Sequence, residues 1–487
     1  MKKVTAVLVV VVMLLGLVPM AIAAPPNPGS GSTNFTVQNL GGAEATVTAA
    51  YVNPLGEIDA SIPKPIASLA SDGFPAAQSG LDDGWIGSVV VSADQEIVAF
   101  AQMLWVGGTA GNTVGAYNGF TEGSPVLYLP SLASRTPQYS VISVQSAEAP
   151  AIGETVAFTI EFYDREGDLS HFINDTVVKG AQVSYSLSPD DMAQLGGNWL
   201  GSAVIQAADD TSPLAAVATM HWNQYSAAYS AVTGGGTRIS LPSATRRKPT
   251  GPWLQFTGVV VQNLDATQEA EVKVIWYDRD GSELHSFETE IPANSAHGYN
   301  TRFVEQSQIP TLEAAFDAAI GDNFNGSVVI ESKNDAEIVA VANLQWTADH
   351  PARAAASAYT SESSGYETVY VPATFRRVGG AGWIQFTGLI VQNVGTTACE
   401  NFTVSWVARD TGQEVMSFQD SLDPNIAAGY NTNVGADIPA NVNFAELLTN
   451  DFRGAVTIEA DGCELIGIHN TVWPVQTDSS TYNAFGR

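Results

Sequence analysis

The sequence predicts an all-β chain: four tandem β-sandwiches, each with a short bridging helix, behind an N-terminal signal peptide. Three observations predict it. One ordered set of segments recurs four times. The apolar runs are short, rich in Val, Ile, Thr and aromatics, and they alternate, as in Glu271-Val272-Lys273-Val274-Ile275-Trp276. Gly, Pro, Asn and Asp punctuate the intervals. Of 487 residues, 45% are hydrophobic, enough for several cores, and only 14% are charged, which excludes a disordered or charge-laced helical chain.

The first element is the signal peptide, residues 1–23. Lys2 and Lys3 precede an apolar run from Val4 through Val18, and Ala21-Ile22-Ala23 is the small-x-small pattern that signal peptidase reads. The mature chain is then expected to begin at Ala24, to carry no membrane span, and to be secreted or held at the cell surface. The alternative is an uncleaved anchor, because the run approaches the roughly 20 apolar residues of a spanning helix. With 20 Lys and Arg against 50 Asp and Glu, the chain lacks the basic footprint that nucleic acid or anionic lipid requires.

The repeat follows, in units of about 116 residues, the size of one sandwich domain. Each unit opens with a strand ending in a polar pair: Val37-Gln38-Asn39, Val144-Gln145-Ser146, Val261-Gln262-Asn263 and Val391-Gln392-Asn393. A second strand runs into a turn, Asp164-Arg165-Glu166-Gly167 in unit two and Asp278-Arg279-Asp280-Gly281 in unit three. A strand led by Gly-Ser comes next, at Gly87, Gly201, Gly326 and Gly454, where Ala455 replaces the serine. Then comes an apolar strand ending at Trp105, Trp222, Trp346 or Trp473, and a strand holding Tyr117, Tyr229, Tyr359 or Tyr482. About seven short strands per unit imply immunoglobulin-like sandwiches, with boundaries at 24–125, 126–236, 237–366 and 367–487. Pro310 to Gly321 has apolar residues at helical spacing, Pro near the start and Gly at the end, and Ser188 to Gly196 occupies the matching place in unit two. A short helix is expected to bridge the two sheets there.

Three Leu-Pro-like segments, Leu129-Pro130, Leu241-Pro242 and Val371-Pro372, lie between a tyrosine strand and the next unit. If each opens the unit after it, unit one is short of an edge strand, since Ala24 to Thr33 is rich in Pro, Gly and Ser and reads as a poor strand. Such an edge is either covered by the N-terminal segment or completed by another chain.

This order of motifs resembles that of uncharacterised secreted tandem β-sandwich repeat proteins of Chloroflexota-type filamentous bacteria. The resemblance spans essentially the whole mature chain and implies fold and export, with no reaction attached. Unit one departs from it with Asn53-Pro54-Leu55-Gly56 at the acidic turn, and unit four with Ala408-Arg409-Asp410-Thr411-Gly412.

The candidate sites each have two readings. The ten tryptophans fall at repeat positions beside apolar strands, where Trp105, Trp222, Trp346 and Trp473 are expected as core aromatics; the sharper reading is a sugar-stacking site repeated per unit. Asp164, Glu166, Asp278 and Asp280 form part of a calcium-loop pattern, so a structural Ca2+ is the one metal considered, against plain hairpin chemistry. No other cofactor is expected. His171, His221, His285, His297, His350 and His469 form no metal or triad motif, and no nucleophile elbow or phosphate loop is present, so no catalytic residue is assigned. Cys399 and Cys463 are expected to pair in an oxidising compartment, toughening a terminal unit that has one neighbour. Arg246-Arg247-Lys248, Arg376-Arg377 and Arg135 are read as solvated junction charge or as pins between successive units. Asn34, Asn174, Asn325 and Asn401 head glycosylation-type triplets.

The function expected is therefore a non-catalytic surface or extracellular-matrix protein, structural or adhesive, partnered by its own copies or by cell-surface components in an extended layer or filament. A polysaccharide-binding protein is the alternative, and a glycan-degrading enzyme a distant third.

Overall fold

A computed structural model describes residues 25–347, 349, 355–380, 382–433, 439, 442–474 and 478–487. The signal segment, residues 1–23, and His350 lie outside them. No helix among the described residues is long and apolar enough to cross a membrane.

The chain is nearly all antiparallel β-sheet. The third repeat displays the plan. One layer runs in the order Glu283–Ile291, Ala270–Asp278, Asn323–Ser332, Arg238–Arg247, and the other Ala296–Asn300, Gln255–Asn263, Ile338–Trp346, Ala355–Thr360. The layers join where Arg246 pairs with Phe256 and Arg247 with Gln255. Alternation places Val272, Val274 and Trp276 of one layer against Val259, Val261, Ala340 and Ala342 of the other, in one buried cluster. The helix Glu313–Ile320 leads into Asn323–Ser332 and buries Phe316 and Ile320. Equivalent short helical turns are Ala76–Gln78, Ala193–Leu195 and Phe444–Leu447.

The Leu-Pro strands Val126–Arg135, Arg238–Arg247 and Thr368–Gly379 pair with the glycine strands Asn198–Ala207, Asn323–Ser332 and Asp451–Glu459 that follow them in the chain. The first repeat has no counterpart among the described residues. Its layers are a three-stranded sheet, Ile58–Ile66, Ala45–Val52, Ser88–Ser92, and a four-stranded sheet, Ser71–Phe74, Gly29–Asn39, Ile97–Gly108, Gly111–Asn118. The N-terminal segment is more regular than its composition suggests: Gly29–Thr33 continues the opening strand in register with Gly107–Met103. Gly29 permits this, because it sits at φ +87° and a Cβ there would lie 2.3 Å from the Val106 carbonyl oxygen.

The four repeats close on one another, so that the last meets the first. The tyrosine strands Gly111–Asn118, Ser226–Ser230, Ala355–Thr360 and Asp478–Asn483 each pack on the next, and the last packs on the first. Asn118 Nδ2 donates to the Asn483 carbonyl at 2.7 Å, and Asn118 Oδ1 accepts from Asn483 N–H at 3.0 Å. Phe100 stacks on Tyr482 at 4.1 Å. The fourth repeat therefore has two neighbours, not one. Its disulfide, Cys399 to Cys463 with Cα atoms 5.4 Å apart, braces a repeat already held on both sides.

Candidate functional site

The repeated polar residues converge on the contacts between repeats. In each repeat the turn after the second strand plugs into the next repeat in cyclic order. Gly56 reaches Val178 and Ala151, Gly167 reaches Pro292 and Ala293, Gly281 reaches Pro424 and Ile426, and Gly412 reaches Ser68 and Ala70. All four glycines have positive φ, so the turn needs no side chain and tolerates none. The socket is a single residue in the left-handed region, Leu69, Gly180, Asn294 or Asn425. Its carbonyl accepts from the glutamine of its own opening strand: Gln38 at 3.4 Å, Gln145 at 3.3 Å, Gln262 at 3.2 Å, Gln392 at 3.2 Å. The same oxygen takes the serine hydroxyl of the preceding repeat in two cases, Ser88 to Gly180 at 2.5 Å and Ser202 to Asn294 at 2.9 Å. The neighbouring asparagine works inside its own repeat: Asn263 Nδ2 donates to the Gln268 and Ile291 carbonyls, and Asn39 and Asn393 do likewise. Both members of the Gln-Asn pair thus staple their own repeat, the glutamine at the socket and the asparagine at the adjoining turn.

Where the four tyrosine strands meet, a cavity of about 550 Å³ is lined by Tyr117, Tyr229, Tyr359 and Tyr482, with Glu362 and Tyr366 in its wall. Asn483 Nδ2 donates to Glu362 Oε1 at 2.9 Å and Tyr366 Oη to Glu362 Oε2 at 3.4 Å. Burial pushes Glu362 up to about 7, against which these two hydrogen bonds work. The Glu362 charge, with burial, pushes Tyr366 up to about 12. Glu96 and Arg487, paired at 3.0 Å, also line the cavity. A carboxyl that titrates near neutrality is suited to proton exchange, but no histidine or cysteine lines this wall.

The acidic turns use their carboxylates locally. Asp164 Oδ1 accepts from Glu166 N–H at 3.1 Å and Asp168 N–H at 2.9 Å; Asp278 Oδ1 accepts from Arg279 N–H at 2.8 Å; Asp280 Oδ1 accepts from Ser282 N–H at 2.9 Å. No group of three or more His, Cys, Asp or Glu residues among those described converges as a metal site would. The arginine of the second repeat's turn is an inter-repeat pin: Arg165 bonds Gln308, and its carbonyl oxygen lies 3.2 Å from His297 Nε2. Arg246 fills neither role read for it. It is buried inside its own repeat, with Nη2 2.7 Å from Asp317 and Nη1 2.5 Å from Asp322, beneath Trp253. Arg376 stands equivalently beside Asn450 and Trp383.

Among the tryptophans, Trp105 is buried and meets His221 of the second repeat edge-on at 5.0 Å. Trp222, Trp346 and Trp473 are half-buried at strand ends, because each is the last residue of its strand and stands where the sheet gives out. The deepest core aromatics are Trp276 and Trp406, fully buried on the second strands. Sequence reasoning missed the left-handed socket residues. Asn294 and Asn425 carry a weak signal for that conformation, and Leu69 carries none.

No family model matches the chain, and no curated protein matches it. Among solved structures, the chain is similar to the native conformation of E. coli alpha-2-macroglobulin, at 9% identity and a TM-score of 0.13, covering 93% of this chain and 28% of that one.

Proposed function

We propose that the chain is an exported, non-catalytic structural or adhesive protein of the cell surface or extracellular matrix, made of four tandem immunoglobulin-like sandwich domains at 24–125, 126–236, 237–366 and 367–487. Its partners are its own copies or other surface components. The observation that carries this reading is how the repeated polar residues are used. The turn glycines and two of the serines serve contacts from one repeat to the next, and the glutamines hold, within their own repeat, the socket residue that those contacts meet. What selection would repeat for a ligand is here spent on cohesion. An active site, carried once and asymmetrically, finds no counterpart in that set. The resemblance to secreted tandem-sandwich proteins points the same way.

A polysaccharide-binding role draws on Trp222, Trp346 and Trp473, whose half-exposed rings stand at strand ends. Immunogold imaging of the producing cell, together with binding assays on its own purified envelope polysaccharides, separates the readings. Label along the envelope with no saturable glycan binding supports the structural role. Cytoplasmic label ends both readings. Saturable binding lost in a triple Trp→Ala variant moves the assignment to the polysaccharide role.

A further inference from the structure

Three repeats own a strand that the first does not have among the described residues, and they display what that strand does. In the second, third and fourth repeats the Leu-Pro strand buries alternate apolar side chains completely or nearly so: Leu127 and Leu129, Ile239 and Leu241, Val369 and Val371. The tyrosine of the same repeat then clamps the residue after the proline through both backbone groups. Tyr229 Oη donates to the Ser131 carbonyl at 2.9 Å and accepts from its N–H at 3.1 Å. Tyr359 does the same at Ser243, at 2.5 and 3.0 Å, and Tyr482 at Ala373, at 3.3 Å each way.

In the first repeat the corresponding glycine strand, Ser88–Ser92, pairs with Thr48–Val52 on one side, and no described residue pairs with its other edge. Its inward valines show the consequence. Val89 and Val91 are half-buried, whereas Ala203 and Ile205, Val328 and Ile330, and Val456 and Ile458 at the same places are fully buried. Tyr117 stands at the clamp position with no hydrogen-bond partner for its hydroxyl among the described residues, and it lines the axial cavity. The described N-terminus does not cover this edge, because Gly29–Asn39 pairs in the opposite sheet.

We propose that the open edge of Ser88–Ser92 is an acceptor for an extended segment of another polypeptide, apolar-x-apolar-Pro-small in sequence, clamped by Tyr117 as Ser131 is clamped by Tyr229. Strand addition supplies the backbone bonds, and alternate apolar side chains fill the space over Val89 and Val91. The donor is a different protein, not a second copy: in a copy of this chain all three Leu-Pro strands are already buried in their own repeats. The inference holds whatever surface the protein occupies.

The test uses the mature chain from Ala24 and a fluorescent synthetic peptide with the sequence of Val126–Arg135. Expected is saturable binding of one peptide per chain, a raised melting temperature, and new hydrogen-exchange protection at residues 88–92. A peptide with aspartate in place of both Leu127 and Leu129 should not bind. Tyr117→Phe should melt like the parent without peptide, since its hydroxyl is unbonded, yet bind about tenfold more weakly, the effect of losing roughly one net hydrogen bond's worth of energy. Absence of binding, or binding without protection of 88–92, overturns the proposal, and an unaltered affinity in Tyr117→Phe overturns the clamp. Binding that disappears only in the precursor retaining residues 1–23 assigns the edge to the chain's own N-terminus, and overturns the choice of donor.

Discussion

Arg409 and Asp72 stand 337 positions apart in the chain and are ion-paired at 2.8 Å, with the Arg409 carbonyl also accepting from Ser71 N–H at 3.2 Å. Lys64 reaches the other oxygen of the same carboxylate at 3.2 Å. Burial pushes Asp72 upward, but the Gly73 N–H, Lys64 and Arg409 outweigh it and hold the group below the ordinary carboxylate range. This contact closes the circle of repeats. Reversing it with Arg409→Glu sets a carboxylate against Asp72. The expected outcome is a looser first repeat, read as faster proteolysis and faster amide exchange in residues 29–118, with little change in the third. The stability loss is about 1 kcal/mol, as both side chains are about one-third exposed.

Gly412 and Gly462 lie in the same repeat at nearly the same left-handed φ, +64° and +69°. A Cβ on Gly412 would sit 1.9 Å from the Ser68 carbonyl oxygen, whereas one on Gly462 meets nothing within 4 Å. Gly462→Ala should therefore cost only the backbone term, about 1–2 kcal/mol. Gly412→Ala should cost more and should also release the first repeat, as Arg409→Glu does. Equal melting shifts for the two variants would remove the plug from the account.

The buried histidines set an acid limit. Burial holds His221 at about 4 and His469 at about 3, both below the usual 6.5. Lowered values mean that the folded chain binds fewer protons than the unfolded one. This stability is present above pH 6.5 and is lost as pH falls toward 4 and 3. Glu362 acts oppositely: raised to about 7, it favours the folded state below pH 4.5 and that contribution is lost as pH rises through 7. Thermal melts between pH 4 and 8 should show His469→Gln losing less stability than the parent on acidification, and Glu362→Gln losing less on going from pH 5 to 8.

Depth within the sandwich separates two tryptophans of the third repeat. Trp276 is fully buried between Phe316 and Phe324, at 5.7 and 6.0 Å, and its truncation to Ala should cost ~3–5 kcal/mol. Trp346, half-buried at a strand end, should cost distinctly less. Chemical denaturation of the two single variants decides the order.

Reduction of Cys399–Cys463 should lower stability by about 4 kcal/mol on the chain-entropy estimate for its 64-residue span. Because the fourth repeat contacts the first and the third, the loss should appear in a transition shared by all three. A separate early transition confined to residues 367–487 would count against the coupling.

The sheets were legible because strand periodicity and repeated order are local signals, visible in Val272, Val274 and Trp276 alone. That the described residues of the first repeat hold no Leu-Pro strand was legible as a count of three such segments against four tyrosine strands. The closure of the four repeats was not, since no short-range pattern encodes that Phe100 will meet Tyr482. The socket at Leu69 was equally hidden, a left-handed leucine being set by what docks on it. The depth of the tryptophans was less legible, because sequence reports hydrophobicity but not distance from a strand's end: Trp105 is buried, while Trp222 and Trp346 pack on their cores half-buried.

The stack of Phe100 on Tyr482 also has a meaning in time. A ribosome finishes the first repeat long before it reaches residue 482, so for most of synthesis one flank of that repeat has no companion. Leu40 and Val98 wait likewise for Tyr370. Folding of the opening quarter is consequently provisional until the closing quarter arrives. A chain that stops before the last tyrosine strand leaves its beginning, rather than its end, unfinished.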